Sequence, residues 1–315
     1  PWYVAIGLRT EGAFFVEAVR RDLLGKLAEG QESHGAPPGT YLAVMWGTFF
    51  PWAGLALLAA PFAWRARRSS EALPLLGWLI PTWLIFELAP TKLPHYVLPT
   101  VPALAGLVAL WALREGRAGR RWQWLAAAAV FGIVGAALGL GAILPPALFG
   151  AGAPPLGAAL AAAGLLATAL GVAALRAEDL RGALAAMALA ALTLYPAVLA
   201  FGLPATTFAF PSEAMARASA PYAACAGRPA ASISYREPSL VFLQGTGTRT
   251  PLEPEAARIL AEEPGAMVWV EDRRREAFEA ARGEGAPPLE TLATVTAFNP
   301  NRGKVTTIRL EAKAG

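Results

Sequence analysis

A single cysteine, Cys225, stands among the 315 residues, which excludes an intramolecular disulfide framework and a zinc site built from thiolates. Charged residues are scarce, 16% against 55% hydrophobic, and the mean hydropathy is +0.43. That balance excludes an ordinary soluble domain and describes a polytopic membrane protein. There is no Walker loop and no G-x-S-x-G elbow, so nothing announces nucleotide hydrolysis or serine-type acyl transfer. An isoelectric point near 9.5 raises nucleic acid as a partner, but the basic residues sit in small clusters between apolar runs. Such clusters report membrane orientation, and no nucleic-acid partner is expected.

What is present is a series of long apolar runs. Six can be marked: residues 41–64, 73–88, 97–113, 122–144, 156–175 and 182–203, the second reaching spanning length only with its flanks. The loops between them alternate in charge. Arg65, Arg67 and Arg68, then Arg114, Arg117, Arg120 and Arg121, then Arg176 and Arg181 stand against Lys92 alone and an uncharged stretch at 145–155. By the positive-inside rule the arginine loops are cytoplasmic, and the Lys92 turn, the N-terminal flank and everything after Pro204 face outward. The spans carry no charge near their centres, which argues against an ion-coupled transporter or proton pump. Their alanine- and glycine-rich composition suits close helix packing. The organisation expected is an outer-face segment at 1–40, a transmembrane bundle at 41–203 and an extracytoplasmic α/β domain at 204–315. Starting at Pro1 rather than methionine, the chain reads as a fragment.

In the N-terminal flank, Thr10 is placed to cap a helix over 10–28 whose Phe15, Val19, Leu23 and Leu27 form an apolar stripe opposite Glu17, Arg20, Arg21 and Lys26. Such a helix lies in the interface plane. Residues 29–40 follow as a loop rich in glycine and proline, carrying Gln31, Glu32, Ser33 and His34. In the tail, strands are expected at 232–235, 240–243, 267–270, 291–298 and 304–310, helices at 254–262 and 272–282, and a hairpin turn at 299–303.

The chemistry concentrates in Thr91-Lys92-Leu93-Pro94-His95-Tyr96-Val97-Leu98-Pro99, a polar turn clamped between two apolar runs. Lys92 is suited to bind a phosphate at the bilayer rim, the alternative being a snorkelling anchor; with His95 and Tyr96 one turn away, the phosphate reading is preferred. Tyr96 alone would read as part of the aromatic belt. Arg20 and Arg21 suit anionic headgroups or a lipid diphosphate as well as they suit a solvated face. Glu87 is close enough in sequence to pair with Lys92 structurally. The two histidines, His34 and His95, with Glu17 or Glu32 offer ligand types that zinc accepts, yet their spacing is no ligand pattern. Hydrogen-bonding histidines are preferred, and a divalent metal stays an open alternative rather than a required cofactor.

Pro1-Trp2-Tyr3, Gln31-Glu32-Ser33-His34-Gly35, the Lys92 turn and Tyr235-Arg236-Glu237-Pro238-Ser239-Leu240-Val241-Phe242 together resemble the C-terminal half of bacterial family 39 glycosyltransferases, relatives of the lipid A aminoarabinose transferase and the protein O-mannosyltransferases. The resemblance implies a GT-C fold in the bacterial inner membrane, with the tail in the periplasm. It also implies a sugar donor linked to polyprenyl phosphate, membrane lipids as surroundings, and inverting transfer to an outer-face acceptor. It puts Lys92 and Tyr96 beside the donor phosphate and His34 and Tyr41 at the substrate cavity; His95, at a variable position of the family's turn, is a further cavity candidate, and Arg20 and Arg21 are phosphate candidates from the interfacial helix. The family's catalytic carboxylates lie in an earlier loop, upstream of Pro1, so no general base is assigned within this chain and the fragment alone is expected to be inactive. A lipid or polysaccharide transporter or flippase is the alternative compatible with composition, and a scaffold recruiting partners through its tail is a third.

Overall fold

The computed structural model describes residues 2–19, 36–89, 92–116, 118–150, 152–299 and 302–314. The chain divides into two compact units, Pro1–Ala142 with Leu156–Val198, and Ile143–Pro155 with Leu199–Gly315.

The first unit begins with α1 (Trp2–Arg9) and α2 (Ala13–Glu17). The single helix expected from Thr10 is not what forms. Thr10 donates its hydroxyl back to the Ile6 carbonyl at 2.8 Å, closing α1, and Glu11 and Gly12 take left-handed backbone so that Gly12 becomes the N-cap of α2. The remainder of that expected helix, with Arg20, Arg21 and Lys26, lies outside the described residues.

The apolar runs then fold as α3 (Thr40–Thr48), α4 (Ala53–Arg65), α5 (Ala72–Leu88), α6 (Val101–Glu115), α7 (Arg121–Phe149), α8 (Pro155–Arg176) and α9 (Leu180–Ala205). Among the described residues, four helices are long and apolar enough to cross a bilayer: Pro94–Glu115, which adds a 3₁₀ turn ahead of α6, and α7, α8 and α9. This is a multi-pass membrane protein. The first expected span differs: α3 and α4 meet at 119° instead of running straight. Pro51 lies in the break, where its ring supplies no N–H and forbids helical backbone at the preceding residue. The second, α5, is 17 residues long, about 25 Å at 1.5 Å per residue, and falls short of the other spans.

Lipid offers no hydrogen bonds, so each carbonyl left open by a proline or by a break between helices needs a partner from protein. Two such partners are visible. The Tyr195 hydroxyl donates to the Phe50 carbonyl at 2.7 Å, just before Pro51. Pro61, inside α4, cannot donate to the carbonyl four residues back, and the Gln123 side-chain amide donates to that Leu57 carbonyl at 2.9 Å. Gln123 is itself held, its side-chain oxygen accepting the Arg120 N–H at 2.9 Å. Around these bonds pack Leu55, Leu58, Trp111, Trp124, Phe131, Leu175, Met187 and Leu194, all buried, with Phe50 stacked on Phe131 at 5.5 Å between centroids. Gly54 permits the approach of α4 to α7, since a Cβ there would stand 2.7 Å from the Ala127 carbonyl oxygen.

Ion pairs join the arginine loops at one end of this unit: Arg65 with Glu115 at 2.5 Å, Arg114 with Glu71 at 2.5 Å and Arg121 with Glu178 at 3.2 Å. All are exposed and each contributes little, about 0–1 kcal/mol. Their importance is geometric, because they gather the three loops on one side, as the charge alternation anticipates.

The second unit holds a four-stranded sheet of β1 (Ala231–Ile233), β2 (Met267–Glu271), β3 (Leu289–Asn299) and β4 (Lys304–Lys313), in the order β1-β2-β4-β3. β1 runs parallel to β2 and the other pairs are antiparallel. β2 is buried along its whole length because helices cover both faces. Met267 and Trp269 face a cluster with Met215 and Leu240 from α10 (Pro211–Ala226) and α11 (Pro238–Gln244). Val268 and Val270 face Ile259, Leu260 and Phe278 from α12 (Glu253–Glu262) and α13 (Arg275–Arg282). The expected strand at 240–243 is therefore a correction: those residues are helical. Pro238 occupies the first helical position with its φ preset, and a four-residue apolar run cannot by itself distinguish strand from buried helix. The hairpin at 299–303 closes β3 onto β4, with Asn299 opposite Lys304 and Gly303 at φ +63; Pro300 and Asn301 lie outside the described residues.

Two buried carboxylates brace the sheet. Glu311, 1% exposed, receives Arg275 at 2.9 Å and the Thr291 hydroxyl at 3.0 Å. Glu271, 3% exposed, accepts the Ser234 hydroxyl at 2.7 Å, the Thr306 hydroxyl at 2.8 Å and Arg273 at 2.8 Å. Burial pushes its carboxyl upward, but the two hydroxyls and the Arg273 guanidinium outweigh that and hold it below the usual carboxylate range.

Two outcomes are expected. Gln123→Leu, which leaves the Leu57 carbonyl unsatisfied, destabilises the membrane unit by about 1–3 kcal/mol; in a Pro61→Ala background, where a backbone N–H returns, the same change costs much less. Denaturation of the four variants in detergent measures the coupling, and simple additivity would contradict it. For the second unit, a depressed carboxyl gives stability that is present above the unfolded-state value and lost as pH falls through the folded one. Acid unfolding followed by circular dichroism should accordingly lose part of its pH dependence below about pH 4.3 in Glu271→Gln.

Candidate functional site

The site grows from how α5 ends. Ala89 leaves the helix in extended backbone at φ −63 and ψ 137, the conformation favoured ahead of a proline, here Pro90. The chain then rises through Leu93, also extended, into the 3₁₀ turn Pro94–Thr100, with Pro94 at its start, and continues as α6. Termination of α5 leaves carbonyls without helical partners, and Lys92 answers one of them: its Nζ donates to the Ala89 carbonyl at 2.6 Å. Lys92 is 7% exposed, so an ammonium is held in a nearly dry place, and its acceptor among the described residues is one neutral carbonyl, which uses one of three N–H groups.

Around it stand three further groups. Tyr41, from the first turn of α3, is fully buried, with its hydroxyl near the Leu93 backbone. That hydroxyl has no hydrogen-bond partner among the described residues. Glu87, in the last turn of α5, accepts the Gly39 N–H through Oε1, while its buried Oε2 has no partner among the described residues. The pairing of Glu87 with Lys92 considered from the sequence is replaced by these two backbone contacts. Tyr96 is half-buried, its ring 5.6 Å from Phe86, and His95 sits edge-on to Tyr96 at 5.0 Å with its own side chain exposed.

The structure thus brings together Tyr41, Lys92 and Tyr96, and it adds Glu87. Sequence reasoning weighed Glu87 only as a partner of Lys92; the signal that it does more is an ionisable group in the final turn of an otherwise apolar helix. His95 borders the cluster. Arg20, Arg21, Glu32 and His34 lie outside the described residues. Among the described residues, no group of three histidine, cysteine or acidic side chains stands close enough to hold a metal.

Chemically, this helix end and its neighbours offer an ammonium, a phenol and a carboxylate oxygen, the last two without a hydrogen-bond partner among the described residues. A buried polar atom without a partner costs about 1–3 kcal/mol, so Tyr41 and Glu87 are poised to gain from a ligand carrying hydrogen-bonding groups. The ammonium selects for an anion, and the carboxylate for a hydroxyl or amine donor alongside it. A phosphorylated sugar combines both.

No family model matches the chain. Sequence similarity is found to the undecaprenyl phosphate-alpha-4-amino-4-deoxy-L-arabinose arabinosyl transferase of Pectobacterium carotovorum subsp. carotovorum, 35% identical over 157 residues, which are 46% of this chain and 27% of the relative. A second transferase of that name, from Sodalis glossinidius, is 41% identical over 103 residues, 32% of this chain and 18% of the relative. In structure, the chain matches ArnT from Cupriavidus metallidurans in the apo state with a TM-score of 0.53 at 19% identity, covering 98% of this chain and 59% of that one. ArnT bound to undecaprenyl phosphate matches equally, with a TM-score of 0.53 at 18% identity. The chain spans less than two thirds of the length of each of these proteins. The resemblance carried by the motifs is thereby borne out: over nearly its whole length the chain has the membrane fold of the GT-C glycosyltransferase ArnT, and in sequence it is a relative of the bacterial aminoarabinose transferases.

Proposed function

We propose that this chain supplies the donor-phosphate side of a membrane glycosyltransferase that moves a sugar from polyprenyl phosphate to an acceptor on the outer face of a bacterial inner membrane. The observation that carries the reading is the Lys92 ammonium, buried at a span terminus and held, among the described residues, by a neutral carbonyl that leaves its charge uncancelled. Support comes from the fold shared with a protein solved with undecaprenyl phosphate bound, and from relatives named as undecaprenyl-phosphate-dependent transferases. Those relatives favour transfer over the transporter alternative.

In the transfer, an acceptor oxygen attacks the anomeric carbon as the bond to the lipid phosphate breaks, and negative charge accumulates on the departing phosphate. Lys92 meets that charge, with Tyr96 beside it, in surroundings where few waters compete. Tyr41 and the free oxygen of Glu87 hold hydroxyl or amine groups of the sugar. No residue of this chain is given the role of general base. The gathered arginine loops define the cytoplasmic side, and the second unit lies in the periplasm.

In the full-length protein, Lys92→Ala is expected to lower kcat/KM for transfer by roughly 100-fold, about 2.7 kcal/mol, with membrane insertion intact. Unaltered turnover would refute the assignment, and a lowered unfolding midpoint with full turnover per folded molecule would reduce Lys92 to a cap on α5. For orientation, Cys225 is exposed and is the single thiol of the chain. A membrane-impermeant maleimide should label it from the outer side of intact spheroplasts; labelling only after lysis reverses the topology.

A further inference from the structure

At the end of the first unit opposite the Lys92 turn, α4, α5 and α6 leave a groove of about 650 Å³ between them. Its walls are apolar, with Ala60, Leu76, Gly77, Ile80 and Leu107 among them, and its mouth is formed by Trp64, Arg67 and Arg68. The volume falls in the range of sites that enclose a small ligand, roughly 300–1,000 Å³. Lipid fills any such groove in a bilayer; the charge at its mouth is what gives this one a preference.

Neighbouring arginines are neutralised: Arg65 by Glu115, Arg114 by Glu71 and Arg121 by Glu178. Arg67 and Arg68 have no carboxylate partner among the described residues. Arg67 is instead oriented by protein, donating to the Trp64 carbonyl at 2.7 Å and lying 4.7 Å from the centre of the Trp64 indole. That stacking fixes a guanidinium over the groove's entrance with most of its donors unspent. Basic residues at the cytoplasmic rim of an apolar inter-helix pocket are suited to anionic lipid headgroups.

We infer that this groove is a binding site for an anionic phospholipid, one acyl chain lying between α4, α5 and α6 and the headgroup phosphate held by Arg67 and Arg68. The site is separate from the Lys92 cluster, lying at the other end of α5, and does not depend on the transfer reaction. No covalent step is involved.

The test uses the full-length protein in vesicles of phosphatidylethanolamine containing a minor fraction of phosphatidylglycerol with a photoreactive acyl chain. After irradiation, labelled peptides are mapped by mass spectrometry. Labelling should concentrate on α4 and α5 around Ala60, Leu76 and Ile80, and fall about 30-fold in the double variant Arg67→Ala with Arg68→Ala. Gly77→Leu provides a second route: a Cβ at Gly77 meets nothing within 4 Å, so the side chain enters the groove without disturbing the fold and should displace the probe. Equal labelling by a phosphatidylethanolamine probe, labelling indifferent to both variants, or preferential labelling by a polyprenyl-phosphate probe each overturns the assignment. So does a crosslink from position 77 to another protein segment in place of lipid.

Discussion

Lipid cannot hydrogen-bond to a peptide carbonyl, and this membrane unit contains prolines inside its apolar helices; its architecture follows from how that conflict is resolved. Pro61 removes the donor that the Leu57 carbonyl needs, and Gln123 reaches across from α7 to replace it. The break at Pro51 is secured by Tyr195 from α9. Each repair is made by a helix distant in sequence, so the bonds that satisfy α4 also fix α7 and α9 against it. Polar side chains that hydropathy would count as minor blemishes in apolar runs are the ones that set the packing. The close approach at Gly54, where a methyl group would meet the Ala127 backbone, is compatible with that arrangement and adds dispersion contacts along the same seam.

The Lys92 turn obeys the same rule at a helix end. Pro90 stops α5, which strands its last carbonyls, and the nearest available donor is the ammonium three residues on. A cation therefore ends up almost dry for a structural reason, and its usefulness to a phosphate is a consequence of where it is held. The capping role and the binding role do not compete, because a lysine has three donors and the carbonyl uses one.

Hydropathy and loop charge were enough to find every apolar segment, since both follow from the cost of placing polar groups in lipid. The tail was legible where the strands are long: β3 and β4 alternate between buried and less buried positions over 295–299 and 306–310, and the 299–303 turn joins them. Short signals failed. Leu240 to Leu243 offer four apolar residues that fit either strand or helix, and the deciding feature, Pro238 preset at a first helical position, is local. Thr10 does accept the Phe14 N–H in the first turn of α2 at 3.3 Å, as a cap would, but it also donates to the preceding helix, and the glycine two residues later marks where the next one begins. In the site, Lys92 and Tyr96 stood out because they share one turn. Glu87 and Tyr41 come from other helices, and their convergence depends on the 119° bend between α3 and α4, which no periodicity encodes.

On the proposed function, the two ends of α5 differ in a way that suits the lysine, rather than Arg65, Arg114 or Arg121, to a reacting phosphate. Arg65, Arg114 and Arg121 sit against carboxylates in exposed positions, where a phosphate would have to displace an anion already in place and solvent screens whatever is gained. Among the described residues Lys92 is paired with a carbonyl, which orients it without cancelling its charge, and its burial keeps the local dielectric low. An unneutralised charge in a dry, fixed position interacts most strongly with charge that develops during a reaction, because neither water nor the side chain must reorganise when it appears. On the proposed function, the arginine end serves orientation and, through Arg67 and Arg68, lipid headgroups, while the lysine at the other end serves the transfer.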